Sequence, residues 1–401
     1  MAKTLKLGLR ENWWQFTILV IINAFVGGMV GMERTILPDL ATSSFGIDGK
    51  SAILSFIVSF GIAKAITNYF TGKLANRLGR KKLLVLGWII ALPIPFLIIH
   101  APSWSWVVFA NILLGINQGL TWSSTVIMKI DLVGPKNRGL AMGINESAGY
   151  LAVGGVAFLS GWIGSAYGIT PYPFYIGIVL SIIGLLSSWL MVQDTTGHMQ
   201  SERSSADRQH PNKSFWEISL TDKNLGSITQ AGMVNNLNDG MIWGLLPLLL
   251  MSLGFALEDI ALVVAIYPSV WGVSQLITGK LADLYQKKKL LFWGMLLQGV
   301  AIILVSQSVG YWQFAILGIF LGLGTAIVYP TFLAAISDYT SPAERAHSIG
   351  IFRLWRDAGY AIGALISGII ADVLGLQQAI WIIGLVTIFS SLVLKFRMTN
   401  Q

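Results

Sequence analysis

Eight charged side chains of this 401-residue chain fall inside long apolar runs: Glu33, Arg34, Lys64, Glu146, Asp239, Arg353, Arg356 and Asp357. Four are acids and four are bases. A carboxylate shielded from water is suited to taking up and releasing a proton, which makes Glu146 and Asp239 candidates for proton coupling. Arg353 and Arg356, three residues apart, share a helix face and form a dication suited to a carboxylate or phosphate. Asn235, Asn238 and Asp239 share another face by their i, i+3, i+4 spacing, setting amide donors and acceptors beside a carboxylate. Asn117, Gln118 and Trp122 add polar and aromatic groups, as do Gln275 and Tyr329 later in the chain. Nothing here resembles enzyme chemistry. No G-x-x-x-x-G-K-[ST] phosphate loop is present. The four histidines, His100, His198, His210 and His347, have no metal-ligand spacing. No cofactor or metal ion is implied.

The surrounding elements follow from composition. Charged residues make up 11% of the chain and hydrophobic ones 54%, with a mean hydropathy of +0.67 and no cysteine. Soluble domains carry about 25% charge. A soluble enzyme, a nucleic-acid partner and a disordered scaffold are all excluded, and without cysteine there is no disulfide framework. A bilayer core of ~30 Å needs about 20 mostly apolar residues per helix. Such runs lie at about 13–37, 51–71, 83–100, 104–128, 139–166 and 170–192, then 225–252, 260–279, 290–307, 311–337, 346–371 and 376–394. The fold class is therefore all-α integral membrane, with 12 transmembrane helices. The organisation is an N-terminal half 1–192, a polar linker 193–224 with a short interfacial helix near Phe215, and a C-terminal half 225–401.

Basic residues set the expected orientation. Of 27 Lys and Arg, 22 fall in tails and loops on the side of both termini, three of them in loop 4–5, and only Lys50 lies opposite. Lys and Arg in short loops stay cytoplasmic, so both termini are predicted there, against anionic headgroups of the inner membrane. Eight intramembrane charges facing lipid would cost roughly 20–28 kcal/mol, above the ~5–15 kcal/mol stability of a typical fold. They must face one another or a hydrated cavity.

The two halves are pseudo-symmetric copies at an offset of 207. TGKLA at 71–75 recurs at 278–282 and KKLL at 81–84 recurs at 288–291. The offset also pairs Gly115 with Gly322, Asp131 with Asp338, Arg138 with Arg345 and Gly143 with Gly350. It pairs Glu146 with Arg353, opposite charges at equivalent positions, which suggests a pair closing the cytoplasmic side or two poles of one site. Parallel repeats of this kind place a binding site at their interface near mid-membrane.

With twelve spans, a central linker and this repeat, the chain resembles the major facilitator superfamily over essentially its whole length. Loop 2–3, GKLANRLGRKKLL at 72–84, is similar to that family's signature G-x-L-A-D-R-x-G-R-K through Gly72, Arg77, Gly79 and Arg80. Loop 8–9, GKLADLYQKKKLL at 279–291, is its second copy. The signature Asp is Asn76 in the first copy and Asp283 in the second, so the charge latch known in the family is altered in the first half. Gly72 and Gly79 permit a tight turn there. Two features of the family's drug–proton antiporter branch are missing. Its fourth-helix arginine corresponds to Asn111, and its fifth-helix G-P-x-x-G-G has become YLAVGG, without the proline.

The resemblance implies a cavity lined by helices 1, 4, 7 and 10 with 2, 5, 8 and 11, and all eight intramembrane charges lie on helices of that set. The reading is a monomeric secondary active transporter working by alternating access. Its substrate is a small polar organic anion or zwitterion, and its coupling ion the proton, with Na⁺ as the other candidate. The substrate candidates are Asn117, Gln118, Asn235, Asn238, Asp239, Arg353 and Arg356. The coupling or gating candidates are Glu33, Arg34, Lys64, Glu146, Asp239 and Asp357. Lys64 and Asp357 form an expected pair, and Glu33 and Arg34 an extracellular gate or snorkelling residues. The glycines of helices 5 and 11 are expected to pack helices closely. Efflux of lipophilic cations by proton antiport, and a non-transporting receptor or scaffold, are the alternatives.

Overall fold

The computed structural model describes residues 7–133, 138–198, 213–340 and 342–399, and among these it is helical with no strand. The side chains of Gly72, Asn76 and Asp283, three of the loop-motif positions, lie outside the described part. The first six spans are α1 (Trp13–Arg34, resuming after Thr35 as Ile36–Ser43), α2 (Ser55–Leu78), α3 (Arg80–Ala91, resuming as Pro93–Ile99), α4 (Trp104–Val133), α5 (Arg138–Tyr167) and α6 (Tyr175–Leu190). The second six are α7 (Lys223–Ser252), α8 (Leu257–Leu284), α9 (Lys287–Gln307), α10 (Tyr311–Asp338), α11 (Pro342–Leu374) and α12 (Leu376–Arg397). One helical turn, Glu217–Thr221, precedes α7, where the sequence predicts an interfacial helix. Asp222 then caps α7, accepting the Asn224 and Leu225 N–H groups at 2.9 Å each.

Nine of these spans are apolar enough to cross a bilayer by length and composition alone. The other three, α2, α4 and α7, are 24, 30 and 30 residues long but diluted by polar groups such as Lys64, Asn117, Gln118 and Asn235. Those polar groups are affordable only because the helices turn them inward. Several helices also run past the predicted spans. At ~1.5 Å per residue the 30 residues of α4 reach ~45 Å, beyond the hydrocarbon core. Loop 2–3 thus shrinks to one residue. Gly72 lies inside α2, not in a turn, because the amphipathic TGKLANRL segment continues the helix. Gly79 alone makes the reversal at φ +89°, and Gly375 at φ +96° does the same between α11 and α12. Only glycine takes that conformation without strain.

The pairings α1–α5, α2–α4 and α3–α4 in the first six helices are matched by α7–α11, α8–α10 and α9–α10 in the second. The two sets meet along two seams, α5–α8 and α2–α11. Glycine sets the closeness of several contacts. A Cβ at Gly27 would lie 2.1 Å from the Gly149 carbonyl oxygen, and one at Gly363 2.2 Å from that of Leu237. Along the α5–α8 seam Gly154 meets Ser269 and Ala265, and Gly161 meets Ala261. Gly155 and Gly350, expected to pack in the same way, have nothing within 4 Å.

At the end of the bundle away from the termini the seams are shut. The Ser51 N–H donates to Asp372 at 2.9 Å, and the Lys50 N–H and Ser51 hydroxyl donate to the same carboxylate. Gly368 packs against Ser51 and Gly244 against Leu54.

Gly363→Ala is therefore expected to destabilise the fold by ~1–3 kcal/mol, since backbone cannot move aside. Gly155→Ala should leave the melting temperature unchanged. Thermal unfolding of the two purified variants followed by tryptophan fluorescence checks the contrast.

Candidate functional site

A water-accessible cavity of about 50 Å³ lies between the two sets of helices. It is lined by Lys64 and Asn68 of α2, Gln118, Trp122 and Ser123 of α4, and Glu146 and Tyr150 of α5. Tyr329 of α10 and Arg353, Arg356 and Asp357 of α11 complete its polar and aromatic wall. These residues sit near the helix midpoints or toward the end that carries both termini. Since a water needs ~10–15 Å³ of such space, a few waters or one small polar group would fill it.

Five charges meet here. Lys64 Nζ lies 3.8 Å from Asp357 Oδ1, the pair expected from the sequence, and Arg356 Nη1 lies 3.9 Å from the same oxygen. Asn68 Nδ2 donates to Asp357 Oδ2 at 2.8 Å, and Asn68 Oδ1 accepts from Ser123 Oγ at 2.7 Å. The Arg356 guanidinium stacks over Tyr329, 4.4 Å from the ring centre, and its Nε and Nη2 are buried without a hydrogen-bond partner among the described residues. Across the cavity, Glu146 Oε1 accepts from Trp122 Nε1 at 3.0 Å and from Asn145 Nδ2 at 2.9 Å. Glu146 and Arg353 line the same cavity, and among the described residues they form no ion pair with each other.

Several predicted site residues point elsewhere. Asn117 Nδ2 donates to the Gly87 carbonyl of α3 at 2.9 Å. Asn235 and Asn238 both donate to Gln298 Oε1 of α9, at 2.8 and 3.3 Å, and Thr387 of α12 donates to Asn238 at 2.7 Å. The i, i+3, i+4 spacing does cluster these amides, but on the face that closes the second six-helix set internally. Their work is interhelical hydrogen bonding. Asp239 is buried, outside the cavity wall, where the Tyr267 hydroxyl donates to it and Thr325 lies 3.3 Å from that hydroxyl.

Glu33 and Arg34 do not snorkel: both are 0% exposed. The Arg34 guanidinium is caged by Phe60 (4.9 Å), Tyr360 (5.6 Å), Trp243 (5.8 Å) and Phe56 (5.9 Å), rings drawn from α2, α7 and α11. Its position between helices of both sets outweighs its place near the end of α1. A chain of rings separates this cage from the cavity. Tyr150 stacks on Trp271 at 3.5 Å, flanked by Trp122, Tyr329 and Tyr267, and Tyr267 leads to Trp243.

Asn68, Ser123 and Tyr150 have no counterpart among the sequence candidates. Lys129 is a further surprise. Counted with loop 4–5, it is 1% exposed within α4 and donates to the Leu19 carbonyl at 3.2 Å.

At the end carrying the termini, Arg80 Nε lies 3.3 Å from Asp131 Oδ2, and Lys287 Nζ lies 2.8 Å from Asp338 Oδ2. The 207 offset relates Arg80 to Lys287 and Asp131 to Asp338, so one ion pair is built twice. In the first set the chain after α6 joins it. Thr195 Oγ1 donates to Asp131 at 2.8 Å, and Asp194 accepts the Lys81 N–H at 2.9 Å and the Thr196 N–H at 2.8 Å. Burial alone would raise the Asp194 carboxyl, but these hydrogen bonds and the nearby Arg80 outweigh it and hold the pKa below its usual value.

Two tests follow from this geometry. Gln298→Met should cost ~1–3 kcal/mol of stability by orphaning two buried amides, with ligand affinity unchanged. Gln118→Met should alter affinity more than stability, and thermal melts with and without ligand separate the two. Because the Asp194 pKa is depressed, its docking is intact above the ordinary carboxylate range and is lost as pH falls through the lowered value. Asp194→Asn should flatten that acid limb of the stability curve.

Comparison with known proteins places this architecture. The family model described as Major Facilitator Superfamily matches residues 16–233 and again 228–400. The chain is 24% identical over 371 residues to the proton-coupled antiporter flippase LtaA of Staphylococcus saprophyticus, covering 90% of this chain and 88% of that one. It is 24% identical over 396 residues to the multidrug resistance protein MdtG of Proteus mirabilis, covering 95% of each. The solved structure of the human organic anion transporter MFSD10 shares the fold with a TM-score of 0.68 at 13% identity, over 96% of this chain and 99% of that one. With the family model matched over nearly its whole length, the chain belongs to the major facilitator superfamily.

Proposed function

We propose that this chain is a proton-coupled secondary active transporter that carries a small polar organic anion or zwitterion by alternating access. The observation that carries the reading is Arg356. A buried guanidinium with Nε and Nη2 unpaired is costly unless a ligand supplies the acceptors, and its planar fork matches a carboxylate or phosphate. Lys64 and Arg353 in the same wall add positive charge, while Glu146 opposite offers an acceptor for the ammonium of a zwitterion. The likeness to LtaA, named a proton-coupled antiporter, supports the proton as coupling ion. Glu146 and Asp357 are the carboxylates at the cavity, and Asp239 a third, reached through Tyr267.

The moving bodies in this reading are the halves 1–192 and 225–401, joined by the linker 193–224. Both termini face the cytoplasm, so the cavity opens inward and the Arg34 cage and Asp372 contacts form the closed outer gate. The basic ends of α2, α3 and α9 rest against anionic headgroups of the inner membrane, and one chain is the working unit.

A second reading, efflux of lipophilic cations, is favoured by the rings of Trp122, Tyr150 and Tyr329 beside Glu146 and by the likeness to MdtG. Against it stands the size of the cavity, about 50 Å³, where drug-sized ligands occupy ~300–1,000 Å³.

A thermal-shift screen of the purified protein against small organic anions, zwitterions and lipophilic cations decides between them. A ligand at 100 times its Kd stabilises by ~2.7 kcal/mol, a readable shift of melting temperature. Anions or zwitterions are expected to stabilise the wild type and to lose the effect in Arg356→Gln. Stabilisation by cations alone, lost in Glu146→Gln, would replace the reading with cation efflux.

A further inference from the structure

We propose that Lys129 is the counter-ion that makes the cavity select anions: it balances the charge of Glu146 from behind, across the buried junction of α1, α4 and α5. The inference deepens the anion reading above and rests on it. Lys129 is 1% exposed, and its Nζ donates to the Leu19 carbonyl at 3.2 Å. Among the described residues no carboxylate lies within ion-pair distance of it, and Asp131, two residues on, pairs with Arg80. A buried ammonium without a counter-charge is costly. The charge that acts on this one is Glu146.

A run of buried polar groups lies between the two. Glu146 Oε1 accepts from Asn145 Nδ2 at 2.9 Å. The Asn145 carbonyl accepts from Asn23 Nδ2 at 2.9 Å, and Asn23 Oδ1 accepts from Thr125 Oγ1 at 2.9 Å. Asn23, Thr125 and Asn145 are all 0% exposed. Leu19 and Asn23 stand one turn apart on α1, as Thr125 and Lys129 do on α4, so both pairs meet at the same junction. The run begins with Glu146 at the cavity wall and ends with Lys129, toward the end that carries the termini.

This placement changes what the cavity presents to a ligand. Its wall carries three bases, Lys64, Arg353 and Arg356, and two acids, Glu146 and Asp357. With Glu146 balanced by Lys129, three bases stand against one acid, and the net positive field holds an anion. The Glu146 oxygens still accept hydrogen bonds at contact, so the ammonium of a zwitterion keeps its partner. A cation without an anionic group is not retained. Without Lys129 the same carboxylate would present its full charge, and the rings of Trp122, Tyr150 and Tyr329 beside it would complete a cation site.

Methanesulfonate and tetramethylammonium are the probes, two small ions whose charges are constant near neutral pH. Their Kd values are measured by calorimetry on the full chain in lipid nanodiscs. The proteins are the wild type, Lys129→Gln, Lys129→Arg, Glu146→Gln and the double variant Lys129→Gln with Glu146→Gln. The wild type should prefer methanesulfonate. Lys129→Gln should weaken methanesulfonate by about tenfold and strengthen tetramethylammonium by a similar factor, the scale of one unit charge acting over roughly 10 Å of protein. Lys129→Arg should keep the wild-type preference, and the double variant, neutral at both positions, should recover it.

An unchanged ratio of the two Kd values in Lys129→Gln overturns the assignment while leaving the anion reading intact. A loss of preference that adding Glu146→Gln does not reverse makes Lys129 a packing residue and also overturns it. Preference of the wild type for tetramethylammonium removes the anion reading itself, and the assignment with it. Melting temperatures of the same proteins need no ligand: each single neutralisation should lower the value, and the double variant should lie above either. Should Lys129→Gln fail to fold, the added Glu146→Gln is expected to restore folding, and a double variant that stays unfolded overturns the assignment.

Discussion

The bilayer interior offers no water to a charge, and the arrangement of this protein follows from that shortage. Lys64, Glu146, Arg356 and Asp357 cannot face lipid, so the helices that carry them must turn them toward one another. Doing so draws α2, α4, α5, α10 and α11 around one small wet cavity. The same constraint explains the Arg34 cage. A guanidinium with no hydrogen-bond acceptor among the described residues is surrounded by four aromatic rings, whose negative faces offer partial compensation.

Pseudo-symmetry supplies the frame, and its breaking supplies the chemistry. The Arg80–Asp131 and Lys287–Asp338 pairs are one device repeated at the termini end of each six-helix set. Nearer the cavity the copies diverge: position 146 is Glu in the first and its equivalent 353 is Arg. The two scaffolds are alike, and at this pair of equivalent positions facing the cavity they carry opposite charge.

Much of this was legible in the chain. The helices, the repeat and the Lys64–Asp357 pair all follow from hydropathy, spacing and the cost of buried charge. What escaped was direction and depth. Asn117, Asn235 and Asn238 are polar residues on cavity-lining helices, yet they face α3, α9 and α12, because a helix of a bundle has polar contacts on more than one side. Lys129 reads as a loop residue because a basic residue beside an acidic one ordinarily marks a span's end. The aromatic chain from Trp122 to Trp243 joins residues from four helices and leaves no trace in local sequence. Arg34 stands near the end of its helix but deep in the assembly, a distinction set only by where α2, α7 and α11 converge.

The two seams between the six-helix sets are made of different stuff. Along α5–α8 the backbones come close at Gly154, Gly161 and Gly272, which have no side chain to reorient, with the stacked Tyr150 and Trp271 rings beside them. Along α2–α11 the contacts include Lys64, Asn68 and Asp357, and just before α2 Ser51 with Asp372, each holding a defined hydrogen bond or ion pair. Sliding a glycine-lined surface releases and recovers almost no rotamer entropy, whereas freeing long polar side chains changes it appreciably. The two seams therefore differ in how much side-chain freedom a shift of the sets would release, and the larger share belongs to α2–α11.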